Sequence, residues 1–190
     1  MLSTRIHTPT LMRSDAQAVI IGGGVAGCSI AYHLTQMGWR DIVLLEKAEL
    51  TGGATFHAAG LIGQLRGTYN LTRMIMYGVQ LYGRLRAETG VDPDWRQVGS
   101  LRLASSRARL EELRRQAALA RAYGLELELL TARRAVELFP VMSERDLEGA
   151  LYIPGDGRID PTGLTYALAH GARSRGCEIH TRTAVTGISV

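Results

Sequence analysis

A chain of 190 residues that is 46% apolar and 21% charged can fill one sizeable core, or one domain and part of a second, which excludes a disordered polypeptide. No window approaches the roughly 18 uninterrupted apolar residues of a membrane-spanning helix, so a helical membrane protein is excluded too. The formal net charge of +4 is carried by arginine, with Lys47 the only lysine. Pairs such as Arg114 and Arg115 lie beside Glu111 and Glu112, the pattern of a solvated helix face rather than of a nucleic-acid surface.

Residues 1–16 hold Arg5, Arg13, serines and threonines, but neither an amphipathic helix nor an apolar h-region, and read as a flexible N-terminus. Gln17 to Ile21 is a β-branched run that stops at Gly22, as a strand buried on both faces would. From Val25 the period becomes helical, with Ala26, Ile30, Leu34 and Met37 on one stripe and Gly38 as the stop. Ile42 to Leu45 is a second buried strand ending at Glu46. Strand, glycine turn, helix and strand within about 30 residues make a βαβ unit with parallel strands.

Asn70 is the expected cap of a helix to about Glu88, with Leu71, Ile75, Val79, Tyr82 and Leu85 buried and Gly90 as the end. "QVGSLRLAS" alternates like a half-exposed strand, Ser106 opens a charged helix to about Tyr123, and "LELELL" alternates again. Thr131 caps a short helix closed by Pro140. "GALYIPGDG" adds a strand and turn, Asp160 and Pro161 start a helix that ends near Gly176, and "CEIHT" and "AVTGISV" read as strands. The expected fold class is α/β. Residues 17–90 form a Rossmann-type dinucleotide-binding unit with a parallel sheet, 91–155 part of a mixed α+β domain that interrupts it, and 156–190 the return to the first domain.

Cys28 and Cys177 form no CxxC and read as buried reduced thiols. His7, His33, His57, His170 and His180 show no i,i+4 pair and no HExxH, so no metal site is expected. The chemistry-bearing motif is "VIIGGGVAG", with G-x-G-x-x-G at Gly22, Gly24 and Gly27. Gly22 permits the tight turn, Gly24 lets backbone approach a pyrophosphate, Gly27 lets the helix pack on the strand, and the helix N-terminus attracts the anion. Glu46, about 20 residues on, stands where a carboxylate accepts hydrogen bonds from ribose hydroxyls. A nicotinamide domain would continue into another βα repeat, whereas here the chain enters "LTGGATFHAAGLIG". That segment reads as a second cradle, with Thr55 able to bond phosphate or ribityl oxygens. A flexible surface loop is the other reading of it, against which its apolar Ala58, Ala59, Leu61 and Ile62 count.

The blocks "GGGVAGCSIAYHLTQMGW", "VLLEKAELTGGATFHAAGL", "GSLRLASS" and "LYIPGDGRIDPTGLTYALAHGAR" together resemble the N-terminal half of the dimethylglycine and sarcosine dehydrogenases, within the D-amino-acid-oxidase-like flavoproteins. The resemblance runs from about Gln17 to Val190 and implies FAD as cofactor, bonded through its 8α carbon to His57. It further implies Val25 and Ala26 at the pyrophosphate, and Glu46 and Lys47 at the adenosine. Gly53, Ala54, Thr55, Phe56, His57, Ala58, Ala59, Gly60 and Leu61 would lie along the ribityl chain and ring, and Val185 would make a backbone contact to adenine. Phe56 stands where these dehydrogenases generally have tryptophan.

The implied activity is dehydrogenation of a small N-methyl amine of the dimethylglycine or sarcosine type by hydride transfer to the flavin. An electron-transfer flavoprotein or oxygen would be the acceptor, and tetrahydrofolate would bind only a C-terminal domain missing here. The chain accordingly reads as truncated, an N-terminal fragment inactive alone, from a bacterial-type cytoplasm or, alternatively, a mitochondrial matrix. No residue is assigned as catalytic. Tyr77, Tyr82 and Arg66 could face substrate but read more simply as core and surface residues; His33, Asp41, Asp156 and Asp160 read as helix-side, turn and cap residues. Two other readings stand beside the enzyme. One is a non-catalytic regulatory flavoprotein resembling the pyruvate dehydrogenase phosphatase regulatory subunit, which lacks the flavin-linking histidine. The other is a simple NAD-binding module.

Overall fold

The computed structural model describes residues 13–189; of the flexible N-terminus expected over residues 1–16, residues 1–12 lie outside the described residues, and Arg13 pairs with Asp41 and Glu178. Ala18–Ile21 (β1), Val25–Gln36 (α1) and Ile42–Leu45 (β2) form the expected βαβ unit, with β1 and β2 parallel and Ala18 opposite Ile42. Glu178–His180 (β8) pairs in parallel with the other edge of β2, giving the order β1-β2-β8. The central strand is buried, as its Ile-Val-Leu-Leu sequence requires. β1 departs from expectation. Ile20 enters the core, but Val19 and Ile21 are each 56% exposed, because β1 is the sheet's edge and nothing among the described residues covers that face.

The buried face of α1 also differs from the expected stripe. Cys28, Ala31, Tyr32 and Thr35 point inward, while Ile30 is 51% and Met37 73% exposed. The reason is the neighbour. Pro161–Ser174 (α5) packs against α1 and presents Ala167, Ala169, Gly171 and Ala172, so the approach is close and small side chains meet there. Gly171 has no room for a methyl group, which would lie 2.8 Å from the Tyr32 ring.

After β2 the chain makes a short 3-10 turn, Ala54–His57, then strand Leu61–Ile62 (β3) and helix Tyr69–Thr89 (α2). Thr68, not Asn70, is the cap of α2, its hydroxyl accepting from Leu71 N–H at 3.4 Å. The buried residues are Thr72, Leu81, Leu85 and Thr89, with Leu71 half-exposed. Thr72 faces inward because its hydroxyl exchanges hydrogen bonds with Arg66 and Thr68 backbone. Gly90 ends the helix in the left-handed conformation, φ 74°, as read from the sequence.

Ser100–Ala104 (β4), Glu128–Leu130 (β5) and Gly149–Ile153 (β6) build an antiparallel sheet in the order β4-β6-β5. Arg107–Ala122 (α3) covers one face through Leu113, Ala117 and Ala120 against Ala104, Leu151 and Ile153. The caps expected at Ser106, Thr131 and Asp160 are present, each side chain accepting a backbone N–H at the head of α3, of Ala132–Leu138 (α4) and of α5. Gly157–Arg158 (β7) pairs antiparallel with β3 in a separate two-stranded ribbon. "AVTGISV" forms no strand: residues 181–189 are irregular, because no neighbouring strand among the described residues offers them a ladder. No helix among the described residues is long and apolar enough to cross a membrane.

Candidate cofactor site

The C-terminal ends of β1 and β2 carry the glycine turn and Glu46, and the geometry explains each residue. Gly22 adopts φ 112°, a conformation that side chains rarely tolerate, while its N–H donates to Leu45 O at 2.8 Å. A methyl group on Gly27 would stand 2.0 Å from Gly22 O, so only glycine lets α1 begin this close to β1. Gly24 caps α1 and faces open space apart from Thr55 Oγ1, 3.1 Å from where a Cβ would be.

Gly23, which the motif leaves as a free position, is as constrained as the others. Its N–H donates to Glu46 Oε2 at 2.6 Å, and a Cβ would meet Leu50 at 2.6 Å and Glu46 at 2.9 Å. Its place as the middle glycine of "GGG" is the only sequence signal for it.

Glu46 Oε1 accepts a second bond, from Ala48 N–H at 2.8 Å. The Gly23 N–H first, and the Ala48 N–H after it, hold the carboxyl below the usual glutamate range. The side chain therefore shapes the turn by itself, through the Gly23 and Ala48 N–H groups. Glu46→Ala is expected to weaken FAD uptake by about 1.5–3 kcal/mol, the worth of hydrogen bonds to a charged group, and to loosen the apoprotein as well. Because the folded-state pKa is lowered, the contribution of Glu46 is complete above the ordinary glutamate value and is lost as pH falls through the lowered one. Flavin titration and acid unfolding of parent and variant check both points; equal uptake would remove Glu46 from the site.

The small-residue loop is docked on this turn. Thr51, buried and at φ 70°, donates its N–H to Gly23 O at 3.1 Å, and the buried Thr55 hydroxyl accepts from Val25 N–H at 3.0 Å. Gly60 O accepts from Ile159 N–H at 2.9 Å. Between these anchors the loop faces outward: Gly53, Ala54, His57, Ala58 and Ala59 are exposed, with Phe56 at 69% and Leu61 at 77%. Phe56 and His57 stand edge to face, ring centroids 5.6 Å apart. The His57 imidazole makes no hydrogen bond among the described residues.

Lys47 is exposed beside Glu46. The segment leading to Val185 is tied to the same strand end, with Thr183 N–H donating to Glu46 O at 2.8 Å and Arg182 N–H to Ala48 O at 2.9 Å. The structure thus gathers the glycine turn, Glu46, Lys47, the Gly53–Leu61 loop and the approach to Val185 at one end of the parallel sheet, where open α/β sheets bind ligands. Tyr77 is engaged elsewhere, with His33 Nε2 at 2.9 Å, and Tyr82 packs on Trp95.

The site fits an adenine dinucleotide. A Cβ at Gly22 or Gly53 would meet nothing within 4 Å, which leaves backbone free to be approached. The N–H groups of Gly24, Ala26 and Gly27 donate to no acceptor among the described residues, leaving anion-seeking donors at the head of a 12-residue helix.

The family model described as FAD dependent oxidoreductase, DAO, matches residues 17–190. The chain belongs to this family. It is 42% identical to human mitochondrial sarcosine dehydrogenase over 178 residues, covering 93% of the chain and 19% of that protein. To mouse mitochondrial dimethylglycine dehydrogenase it is 41% identical over 181 residues, 95% of the chain and 21% of that protein. The mouse pyruvate dehydrogenase phosphatase regulatory subunit matches at 37% over 93% of the chain and 20% of its own length. The chain thus spans about a fifth of the curated relatives it matches. Among solved structures, L-proline dehydrogenase from P. horikoshii superposes with a TM-score of 0.87 at 27% identity, over 93% of the chain and 46% of that protein. The α/β fold and the expected kinship with sarcosine and dimethylglycine dehydrogenases are borne out.

Proposed function

We propose that this chain is the FAD-binding N-terminal part of an oxidoreductase that dehydrogenates a small N-methylated amino acid of the sarcosine or dimethylglycine type, with the flavin linked to His57. The supporting observation is the state of His57: an exposed imidazole without a hydrogen-bond partner among the described residues, held by the Thr55 anchor beside the head of α1. Its ring is accessible to a ligand that lies along the loop. An unprotonated imidazole nitrogen is a nucleophile suited to carry a covalent bond to a flavin 8α carbon.

In this reading Ala26, with Gly24 and Gly27, donates to the pyrophosphate, while Val25, expected there too, lies beside it with its N–H taken by the Thr55 hydroxyl; Glu46 accepts from the ribose, and Lys47 and Val185 border the adenosine. Phe56, Ala58, Ala59 and Leu61 give the ring an apolar surface that excludes water. The bound FAD supplies the hydride acceptor for the amine carbon. An electron-transfer flavoprotein or oxygen then takes the electrons, and tetrahydrofolate belongs to a separate C-terminal domain. The regulatory reading shares the same fold and has a 37% identical relative behind it, but it gives His57 no task.

Acid precipitation of the full-length protein tests the link: the parent pellet is expected to stay yellow, and the pellet of His57→Ala to lose its colour while the soluble variant still binds some FAD. Release of all flavin from the parent would sink the covalent assignment. Dye reduction with sarcosine and dimethylglycine tests the activity, and a flavin-loaded protein that reduces no dye with either amine would favour the regulatory reading.

A further inference from the structure

Asp156, in the turn between β6 and β7, reads from the sequence as a turn residue, yet among the described residues it is the only fully buried acid. Its side-chain bonds do not serve its own turn. Oδ1 accepts from the Gln64 N–H at 2.8 Å and from the Gln64 side-chain amide at 3.2 Å; Oδ2 accepts from Ser100 Oγ at 2.6 Å. These partners lie 92 and 56 positions away in the chain. The Asp156 carbonyl also accepts from Gly99 N–H, at 2.8 Å.

Gln64 follows β3, the strand that leaves the His57 loop, whereas Gly99 and Ser100 open β4 and line a cavity of about 560 Å³ with Leu101, Leu103, Phe139 and Tyr152. The joint has no slack: a Cβ on Gly155 would meet Gln64 Nε2 at 2.5 Å, and one on Gly157 would meet Arg96 O at 2.1 Å. Burying a carboxylate is costly unless donors surround it, and this one is an acceptor-only group matched to three donors from two distant segments.

We propose that Asp156 is a positioning residue that sets the spacing between the His57 loop and the cavity face of β4. The proposal rests on the reading of that loop as the flavin side of the site. Asp156→Asn is the conservative variant. Its amide oxygen can keep both Gln64 bonds while its NH2 faces Ser100, whose hydroxyl turns to accept. Asp156→Ala leaves all three donors without an acceptor.

The test is hydrogen exchange followed by mass spectrometry on the full-length protein loaded with FAD, comparing residues 57–66 with α3, together with the visible circular dichroism of the flavin. Asp156→Ala is expected to speed exchange over 57–66 about tenfold and Ser100→Ala about threefold, with α3 unchanged and the flavin spectrum altered, as local opening requires. Asp156→Asn should stay within about twofold of the parent. Leu130→Ala, a core truncation in β5 whose buried cluster includes no residue of 57–66, controls for general destabilisation and should leave 57–66 within about twofold.

An equal rise in Leu130→Ala, or no rise in Asp156→Ala and Ser100→Ala, would overturn the proposal. Should Asp156→Ala fail to accumulate, Ser100→Ala and Asp156→Asn carry the decision. If the parent oxidises no amine, the functional reading falls and the exchange rates still decide the role of Asp156.

Discussion

Gly27→Ala is expected to abolish FAD uptake and to destabilise the protein by about 3 kcal/mol or more. The added methyl group would stand 2.0 Å from the Gly22 carbonyl oxygen and 3.3 Å from Ile20 Cγ2. The nearer obstacle is backbone and cannot swing aside. Relief therefore means moving α1 off β1, which carries the N–H groups of Gly24, Ala26 and Gly27 away from the turn they form. Gly24→Ala is the informative comparison, since its backbone is ordinary extended chain and its methyl group would touch only Thr55 Oγ1, at 3.1 Å. That variant should keep near-parental stability and still bind FAD poorly, because the methyl group occupies the approach to the backbone. Urea unfolding and flavin titration of both variants separate the two effects, and parental stability in Gly27→Ala would show that α1 can shift without penalty.

Tyr32→Ala is the second large effect, a loss of about 3–5 kcal/mol typical of deleting a fully buried aromatic ring. Tyr32 is completely enclosed between α1 and α5, with the Arg175 guanidinium 5.0 Å over its ring. Its hydroxyl donates to Glu88 and accepts from Gln36 Nε2 at 2.8 Å. Burial, and then the Glu88 bond, push that hydroxyl up to about 12, so it remains a donor throughout the working pH range. Tyr32→Phe keeps the packing and should cost only about 1 kcal/mol. A loss below about 1.5 kcal/mol in Tyr32→Ala, measured by urea unfolding, would mean that the helix pair collapses into the space left by the ring.

Tyr32 also shows where sequence reading reaches its end. Periodicity located α1, but size pointed to Ile30 and Met37, which are exposed, and not to Cys28, Ala31 and Thr35, which are buried. Close helix pairs are built from small residues, and which side meets a partner depends on α5, more than a hundred residues downstream. Features whose cause is local were legible: the turn at Gly22, the caps at Ser106, Thr131 and Asp160, and Glu46 at the end of β2. At the head of α2 two capable residues, Thr68 and Asn70, lie two positions apart, and local rules did not separate them. Features whose cause is distant were not legible. Gly23 is required by Leu50 and Glu46, and Asp156 by Gln64 and Ser100. The expected strand "AVTGISV" had the right alternation and no neighbour among the described residues to pair with.

The pairing of β8 with β2 has a kinetic consequence. Leu45 meets His180 across a parallel ladder, so the middle strand of this sheet keeps one edge unfilled until residues 178–180, more than 130 positions downstream, have been synthesised. In the interval β4, α3, β5 and β6 can form among themselves, since their partners are near in sequence. Once compact, that unit shortens the effective loop that β8 must close, and closing a shorter loop loses less chain entropy. Early formation of the β4-β6-β5 sheet is therefore expected to speed completion of the β1-β2-β8 sheet and of the glycine turn that it carries.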